Sequence, residues 1–313
     1  MNFIVSFLNS LPGALSQGMI WGIMAIGVYL TYKVLNVSDL TVDGTLCTGA
    51  AVCVILTING VPMWLALLLS LVAGMLCGFI TGILNTKLGI PAILSGILTQ
   101  LALYSVNLHI MGIGSENGAK ANLPISVDNY NLLVSSRYVR EISLRNPLFI
   151  ILIFLVLIIA ILYWFFGTEI GCSLRATGAN EMMARAQGIN TNFAKVLGIM
   201  VSNGLVALSG ALLAQYQGFS DINMGRGAIV IGLAAVIIGE VIFGKIFNNF
   251  ALKLTACVLG AIIYYIVIQF VLKLGLSTDD LKLLSAVVVA LFLSLPYIKS
   301  KVLSRTKKEA KPC

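Results

Sequence analysis

Charge is what this sequence most lacks. Only 10% of its 313 residues are Asp, Glu, Lys or Arg, against 59% hydrophobic residues and a mean hydropathy of +1.00. Ordinary soluble domains carry about a quarter charged residues. A soluble chain this apolar would have no surface to offer water, so most soluble-enzyme readings fall away and a polytopic membrane protein remains. Histidine occurs once, as His109, which excludes a His-rich metal centre. At the outer end of an apolar run it reads as an interfacial residue with its own hydrogen bond. The six cysteines form no C-x-x-C pair, so zinc and dithiol chemistry are unsupported. Cys47, Cys53, Cys77 and Cys257 lie in apolar runs and read as small buried hydrophobes. No G-x-S-x-G or H-E-x-x-H string is present. Residues 239–245 spell G-x-x-x-x-G-K, but Ile246 stands where a phosphate loop needs Ser or Thr for magnesium, and the segment is itself apolar. No catalytic residue and no metal site are therefore expected. The first charged side chain is Lys33, so the N-terminus lacks the basic region of a signal peptide and reads as a retained first helix.

Apolar runs define the spans, each needing about 20 residues. One span lies within 1–32, beginning near Pro12. The charge-free stretch 44–86 is broken by Asn59, Gly60 and Pro62 into a second and a third. The others are 88–115, 146–168, 196–220, 227–244, 254–272 and 283–298. The expected fold is an all-α polytopic membrane protein of about nine helices. The spans near Asp43 and Glu240 are short enough to be re-entrant. Net charge is +8. In a membrane chain this marks cytoplasmic loops rather than nucleic-acid binding. With the basic tail 299–313 inside, Lys33, Lys87, Arg175, Arg185, Lys195, Lys245 and Lys253 also fall inside. Lys120, Arg137, Arg140, Arg145, Arg226, Lys273 and Lys282 fall outside. The bias sets the N-terminus outside and the C-terminus in the cytoplasm.

The chain also repeats itself. Ser38-Asp39-Leu40 before Gly44 matches Ser220-Asp221-Ile222 before Gly227, at an offset of about 182 to 184. Val72, Gly74, Leu88 and Gly89 match Val258, Gly260, Leu274 and Gly275. Equivalent spans are separated by an odd number of crossings, so the halves point in opposite directions. Inverted repeats of this kind are typical of transporters, with the path at the repeat interface. The single domain 1–313 thus divides into a first repeat (12–111), an outer loop (112–146), a linking span (147–167), a cytoplasmic loop (168–192), a second repeat (193–298) and the tail. Gly74, Gly78 and Gly82 share one helix face, a close-packing surface in lipid. Gly18 and Gly22 form a weaker version.

Ion-coupled transporters carry carboxylates in mid-membrane, and this chain has few. Asp39, Asp43 and Asp221 sit at span ends, where helix capping is the simplest role. Glu240 is the one acid inside an apolar run. It reads as an ion-pair partner for Lys245 or a neighbouring helix, with a coupling role as the alternative. Polar side chains within the spans are Ser95, Thr99, Gln100, Tyr104, Asn107, Asn203, Ser209 and Gln215. Gln100 and Asn203, with Thr99 and Asn107, are the candidates for lining a path. Interhelical hydrogen bonding accounts for them equally well.

The cytoplasmic segment 173–190 is the most informative. Asn180 suits an N-cap, Glu181 the positive end of the helix dipole, and Gly188 the position after a helix end. Met182, Met183 and Ala186 then form an apolar patch beside Arg185 and Gln187. This reads as a short docking helix for a partner, or as an amphipathic turn on the bilayer surface.

The string LRATGANEMMARAQGI, 174–189, resembles the coupling-helix loop of permeases of the branched-chain amino-acid and ribose type of ATP-binding-cassette (ABC) importer. DLTVDGTLCTGAA, 39–51, and AAVIIGEVIFG, 234–244, are similar to two further stretches of that family. Asp43 and Glu240 replace glycines usual there. Together with LTVDG they look most like the subgroup linked to tryptophan and tyrosine uptake. The resemblance covers nearly the whole chain. It implies a type II ABC-importer fold in a bacterial plasma membrane and a second permease copy, with a homodimer expected. It implies cytoplasmic ATPases that bind ATP and magnesium, so this chain needs no cofactor of its own. It also implies an extracellular binding protein that delivers a small polar solute, an amino acid. Arg175, Gly178, Asn180, Met182, Met183, Arg185 and Gly188 would then meet the ATPase. Lys120, Arg137, Arg140, Arg145 and Arg226 would meet the binding protein, where complementary charge speeds and orients docking. An ion-coupled transporter and a non-transporting membrane scaffold are the rival readings.

Overall fold

The computed structural model of the chain describes residues 3–114, 118–125, 130, 132–139, 146–244, 246–273, 283, 286–287, 289–291 and 294. Among these, ten α-helices carry the fold. Helix α1, Phe3–Tyr29, continues into a π-helical turn, Leu30–Val34. Then come α2 (Val42–Ile58), α3 (Met63–Thr86), α4 (Ala92–Met111), α5 (Pro147–Gly167), α6 (Glu169–Ala179), α7 (Glu181–Ala186), α8 (Thr191–Gln217), α9 (Ala228–Phe243) and α10 (Phe250–Lys273). Six of them, α1, α3, α4, α5, α8 and α10, are long and apolar enough to cross a bilayer. Helices α2 and α9 are shorter, at 17 and 16 residues. The run 283–298, read as a further span, lies mostly outside the described residues.

Three expectations need correction. The fold is helical but not purely so: β1 (Asn122–Pro124) from the outer loop pairs antiparallel with β2 (Phe219–Asp221) after α8. Both strands follow helix ends, where freed backbone groups must find partners, and each loop supplies them to the other. Helix α1 starts before Pro12, with that proline inside it. Prolines are tolerated inside membrane helices because neighbouring groups can satisfy the carbonyl freed one turn earlier; one turn later, the Ser16 hydroxyl adds a bond to the Pro12 carbonyl at 3.0 Å. Finally, the segment 168–192, read as a loop with one short helix, holds two helices, α6 as well as the short α7.

Helix α8 is the axis of the bundle. It is buried along most of its length and packs on α1, α2 and α3. Glycine makes close helix pairs possible, α3 with α8 and α1 with α10 among them. A Cβ on Gly78 of α3 would stand 2.6 Å from the Ile199 carbonyl oxygen of α8, and one on Gly82 would stand 3.0 Å from Val196 Cα. A Cβ on Gly18 of α1 would stand 2.8 Å from Ile262 Cα of α10. Both glycine faces read from the sequence are therefore packing faces. At the periphery, α5 buries one stripe, Ile151, Leu155, Ile158, Leu162 and Phe166. Its other face stays open, with Ile153 at 67% and Trp164 at 72% exposure. Such a helix suits lipid on its outer side.

The segment 168–192 is tied down by local bonds. The Asn180 side chain caps α7, accepting the Met183 amide at 3.1 Å, and Gly188 follows with φ +82°. Glu181 receives Arg185 at 2.7 Å and Lys195 of α8 at 2.6 Å. Arg185 also donates to the Thr191 hydroxyl at 2.8 Å. Arg175 donates to the Phe166 carbonyl at the end of α5, at 2.9 Å. The Gly178 backbone lies directly on Val34 and Leu35, with no room for a side chain. Met182 and Met183 project outward, 84% and 63% exposed. Of the polar and charged residues expected to meet an ATPase, Asn180, Arg175 and Arg185 thus hold the loop's own shape, while the two methionines present the free surface.

Two outcomes follow from this packing. Gly78→Val should destabilise the bundle by about 1–3 kcal/mol through overpacking. Gly167→Ala, where the added Cβ meets nothing within 4 Å, should leave the melting temperature in detergent unchanged. An equal loss at both positions would refute the packing role. The Glu181 carboxyl is held below its ordinary pKa, first by the Lys195 hydrogen bond. Partial burial pushes the other way, and the charges of Lys195 and Arg185 add to the lowering. Its stabilising effect is therefore complete above the ordinary carboxylate range and is lost as pH falls through the lowered value. Hydrogen exchange of residues 180–195, corrected for intrinsic rate, should show weakening protection in that acidic window, and Glu181→Gln should remove the dependence.

Candidate transport path

Two helices begin inside the bundle rather than at its ends. After the π-helical turn, residues 35–41 run without helix along the start of α4. A Cβ on Gly96 there would stand 2.7 Å from the Leu40 amide nitrogen. Asp39 in this segment is only 2% exposed. Its Oδ1 accepts the Thr41 amide at 2.9 Å, and its Oδ2 accepts Asn203 Nδ2 at 2.6 Å. Asn203 Oδ1 in turn accepts the Thr45 hydroxyl at 2.7 Å. Beside this, the hydroxyls of Thr41, Thr81 and Thr99 form a chain at 2.8 and 3.0 Å. The network joins α2, α3, α4 and α8 across a region with little water to replace it.

Helix α9 also starts within the bundle. Its N-cap is Gly227, with φ +85° and no side chain to cap the helix. The cap comes from α2 instead. Asp43 Oδ2 accepts the Gly227 amide and its Oδ1 accepts the Ile229 amide, both at 2.9 Å. The N-termini of α2 and α9 therefore meet, with a carboxylate between them. That arrangement satisfies two of the exposed amides and opposes the helix dipole. Sequence position allowed a cap but not this one, because the helix served is 184 residues away. Asp39 caps the turn leading into α2, and Asp221 caps the turn after β2, accepting the Asn223 amide at 2.7 Å. Glu240 pairs with Lys33 of the π-helical turn at 2.8 Å. Lys33 escaped the sequence reading because a partner on another helix leaves no local trace. Lys245 lies outside the described residues. His109 has the expected bond, to the Gly118 carbonyl at 3.0 Å.

Beside the meeting point lies a cleft of about 430 Å³, lined by Asp43, Gly44, Cys47, Gln100, Leu101, Tyr104, Asn107, Ile222 and Arg226. At 1.5 Å per residue it extends along α4 for about 10 Å, from near mid-helix at Gln100 towards the C-terminal end at Asn107. Of the four path candidates, Gln100 and Asn107 line it. Thr99 and Asn203 belong to the buried network. Arg226, read as part of an outer docking set, stands on this cleft. Arg137 lines a separate cavity with Asn9, Gln17 and Tyr216. Lys120 is exposed beside β1, and Arg140 and Arg145 lie outside the described residues. No group of three or more metal-ligating side chains occurs among the described residues.

Comparison with known proteins fits this architecture. A chain of a metal-chelate-type ABC transporter in an inward-facing conformation superposes with a TM-score of 0.52 at 15% identity, covering 92% of this chain and 85% of that one. The tyrosine transport system permease protein of Clostridioides difficile (strain R20291) is 39% identical over 287 residues, 92% of this chain and 91% of that one. The ribose import permease of Escherichia coli (strain K12) is 26% identical over 91% of this chain and 84% of its own length. The family model for the permease component of branched-chain amino acid transport systems matches residues 10–295. With nearly its whole length matched, the chain belongs to the family of branched-chain amino acid transport system permease components.

Proposed function

We propose that this chain is the membrane-spanning subunit of an ATP-driven importer for an amino acid with an aromatic side chain. The observation that carries the reading is the 39% identity, over 92% of this chain, with a protein named as a tyrosine transport permease. Two copies surround a central path in a bacterial plasma membrane. Partner ATPases bind ATP and magnesium, and an external binding protein supplies the solute. Nine crossings, with the N-terminus outside, fit the distribution of basic residues.

An inverted repeat fits the packing. Pairing α1 with α8, α2 with α9 and α3 with α10 turns the α3–α8 contact into the α1–α10 contact, and both rest on glycine. Asp39 and Asp221 each cap a turn two residues on. The two short helices, which start inside the bundle, exchange places under the same pairing.

The exposed methionines of α7 are the ATPase contact in this scheme. Met182→Asp with Met183→Asp should leave the permease folded, since neither side chain is buried. It should abolish co-purification of the ATPase and reduce ATP-dependent tyrosine uptake into proteoliposomes at least about tenfold. An intact complex with full uptake would overturn the assignment.

A further inference from the structure

The cleft beside α4 brings together groups of opposite charge, of which Asp43 has a structural task in capping α9 and Arg226 has none among the described residues. Arg226 is exposed on it. Among the described residues its side chain makes no ion pair and no hydrogen bond. A guanidinium placed alongside membrane helices faces a water-filled cavity or a bundle interior, not lipid, because charge in hydrocarbon is costly. Asp43 lines the same cleft. Its carboxylate accepts two amides of α9 yet has about four acceptor positions, so capacity remains. Asn107 supplies an independent sign of a ligand. It is 1% exposed and lines the cleft, and its Oδ1 has no hydrogen-bond partner among the described residues. Native interiors rarely leave such an acceptor unmade, since it forfeits about 1–3 kcal/mol. The Nδ2 of the same amide is held by the Gly44 carbonyl at 3.3 Å, so the side chain is fixed by the backbone of α2.

A donor for Asn107 Oδ1 and Asp43, together with an acceptor for Arg226, defines a zwitterion. Resting on the importer reading above, we propose that this cleft holds the solute in transit as an α-amino acid. The ammonium group sits on Asp43 and Asn107 Oδ1, the carboxylate on Arg226 with Gln100 beside it, and the side chain along Leu101 and Tyr104. The volume, about 430 Å³, lies within the range of small-molecule sites, about 300–1,000 Å³. Tyr104 and Leu101, 43% and 66% exposed, leave the apolar end open, which suits a large side chain. A neutral sugar would leave the Arg226 guanidinium without a carboxylate partner.

The test uses the permease–ATPase complex in nanodiscs, without binding protein, and measures saturable binding of radiolabelled L-tyrosine, with L-tryptophan in parallel. Unlabelled L-tyrosine should compete, whereas tyramine, L-tyrosine amide and ribose should compete at least about tenfold less well. Arg226→Gln should weaken binding about tenfold or more, the scale of one charge-assisted hydrogen bond, and should no longer tell tyrosine from its amide. Arg226→Lys should keep that discrimination. Asn107→Leu should weaken tyrosine and its amide alike, since both retain the ammonium group. No saturable binding of either amino acid, equal competition by ribose or by the amide, or unchanged affinity in both Arg226→Gln and Asn107→Leu would each overturn the proposal. The competition series on the unaltered protein decides the matter even if a variant fails to assemble. Failure of the importer reading would show separately, as no ATP-dependent amino-acid uptake by the complete wild-type system.

Discussion

A helix that starts inside an apolar bundle exposes amide protons that nothing in lipid can satisfy. Up to four remain at each N-terminus, and each costs several kcal/mol if left unmade in hydrocarbon. The structure is organised around two such starts. Asp39 serves the entry to α2 and is held there by Asn203. Asp43 reaches across to serve α9. Once these carboxylates are fixed, the levels of α2, α8 and α9 relative to one another are fixed as well. Gly96 and Gly225 then become obligatory, because the non-helical backbones that lead into α2 and α9 pass against them or through them.

The long helices answer to a different requirement. Lipid is as apolar as leucine, so apolar surface alone does not drive helix to helix in a membrane. Close packing does, which explains why glycine lies at the tight helix interfaces. Hydroxyls reinforce it: Ser202 and Ser209 of α8 donate to the carbonyls of Gly27 and Ile20 on α1, both at 2.7 Å. The polar residues of the spans therefore divide by partner. Most are joined to another helix and serve cohesion. Asn107, Gln100 and Arg226 gather where the packing opens.

The helical architecture was largely legible in the sequence because its signals are local. Apolar runs gave each long helix, the spacing of Gly74, Gly78 and Gly82 gave a packing face, and Asn180 with Gly188 gave α7. What could not be read was long-range. Nothing near Asp43 says that it caps a helix 184 residues away. Lys33 and Glu240 are equally remote in sequence, and the pairing of β1 with β2 depends on two loops meeting. Arg226, counted among the outer basic residues, also lines the cleft beside α4, a position that charge counting by loop does not reveal.

The contact of Gly178 with Val34 has a mechanical consequence. Two backbones touch there with no side chain between them, and protein interiors have low compressibility. Flexible side chains absorb displacement by changing rotamer, but a glycine has none to change. Helices α6 and α7 and the C-terminal end of α1 therefore form a joint without slack. The π-helical turn beside it, whose Lys33 reaches α9, is where such a joint would have to yield.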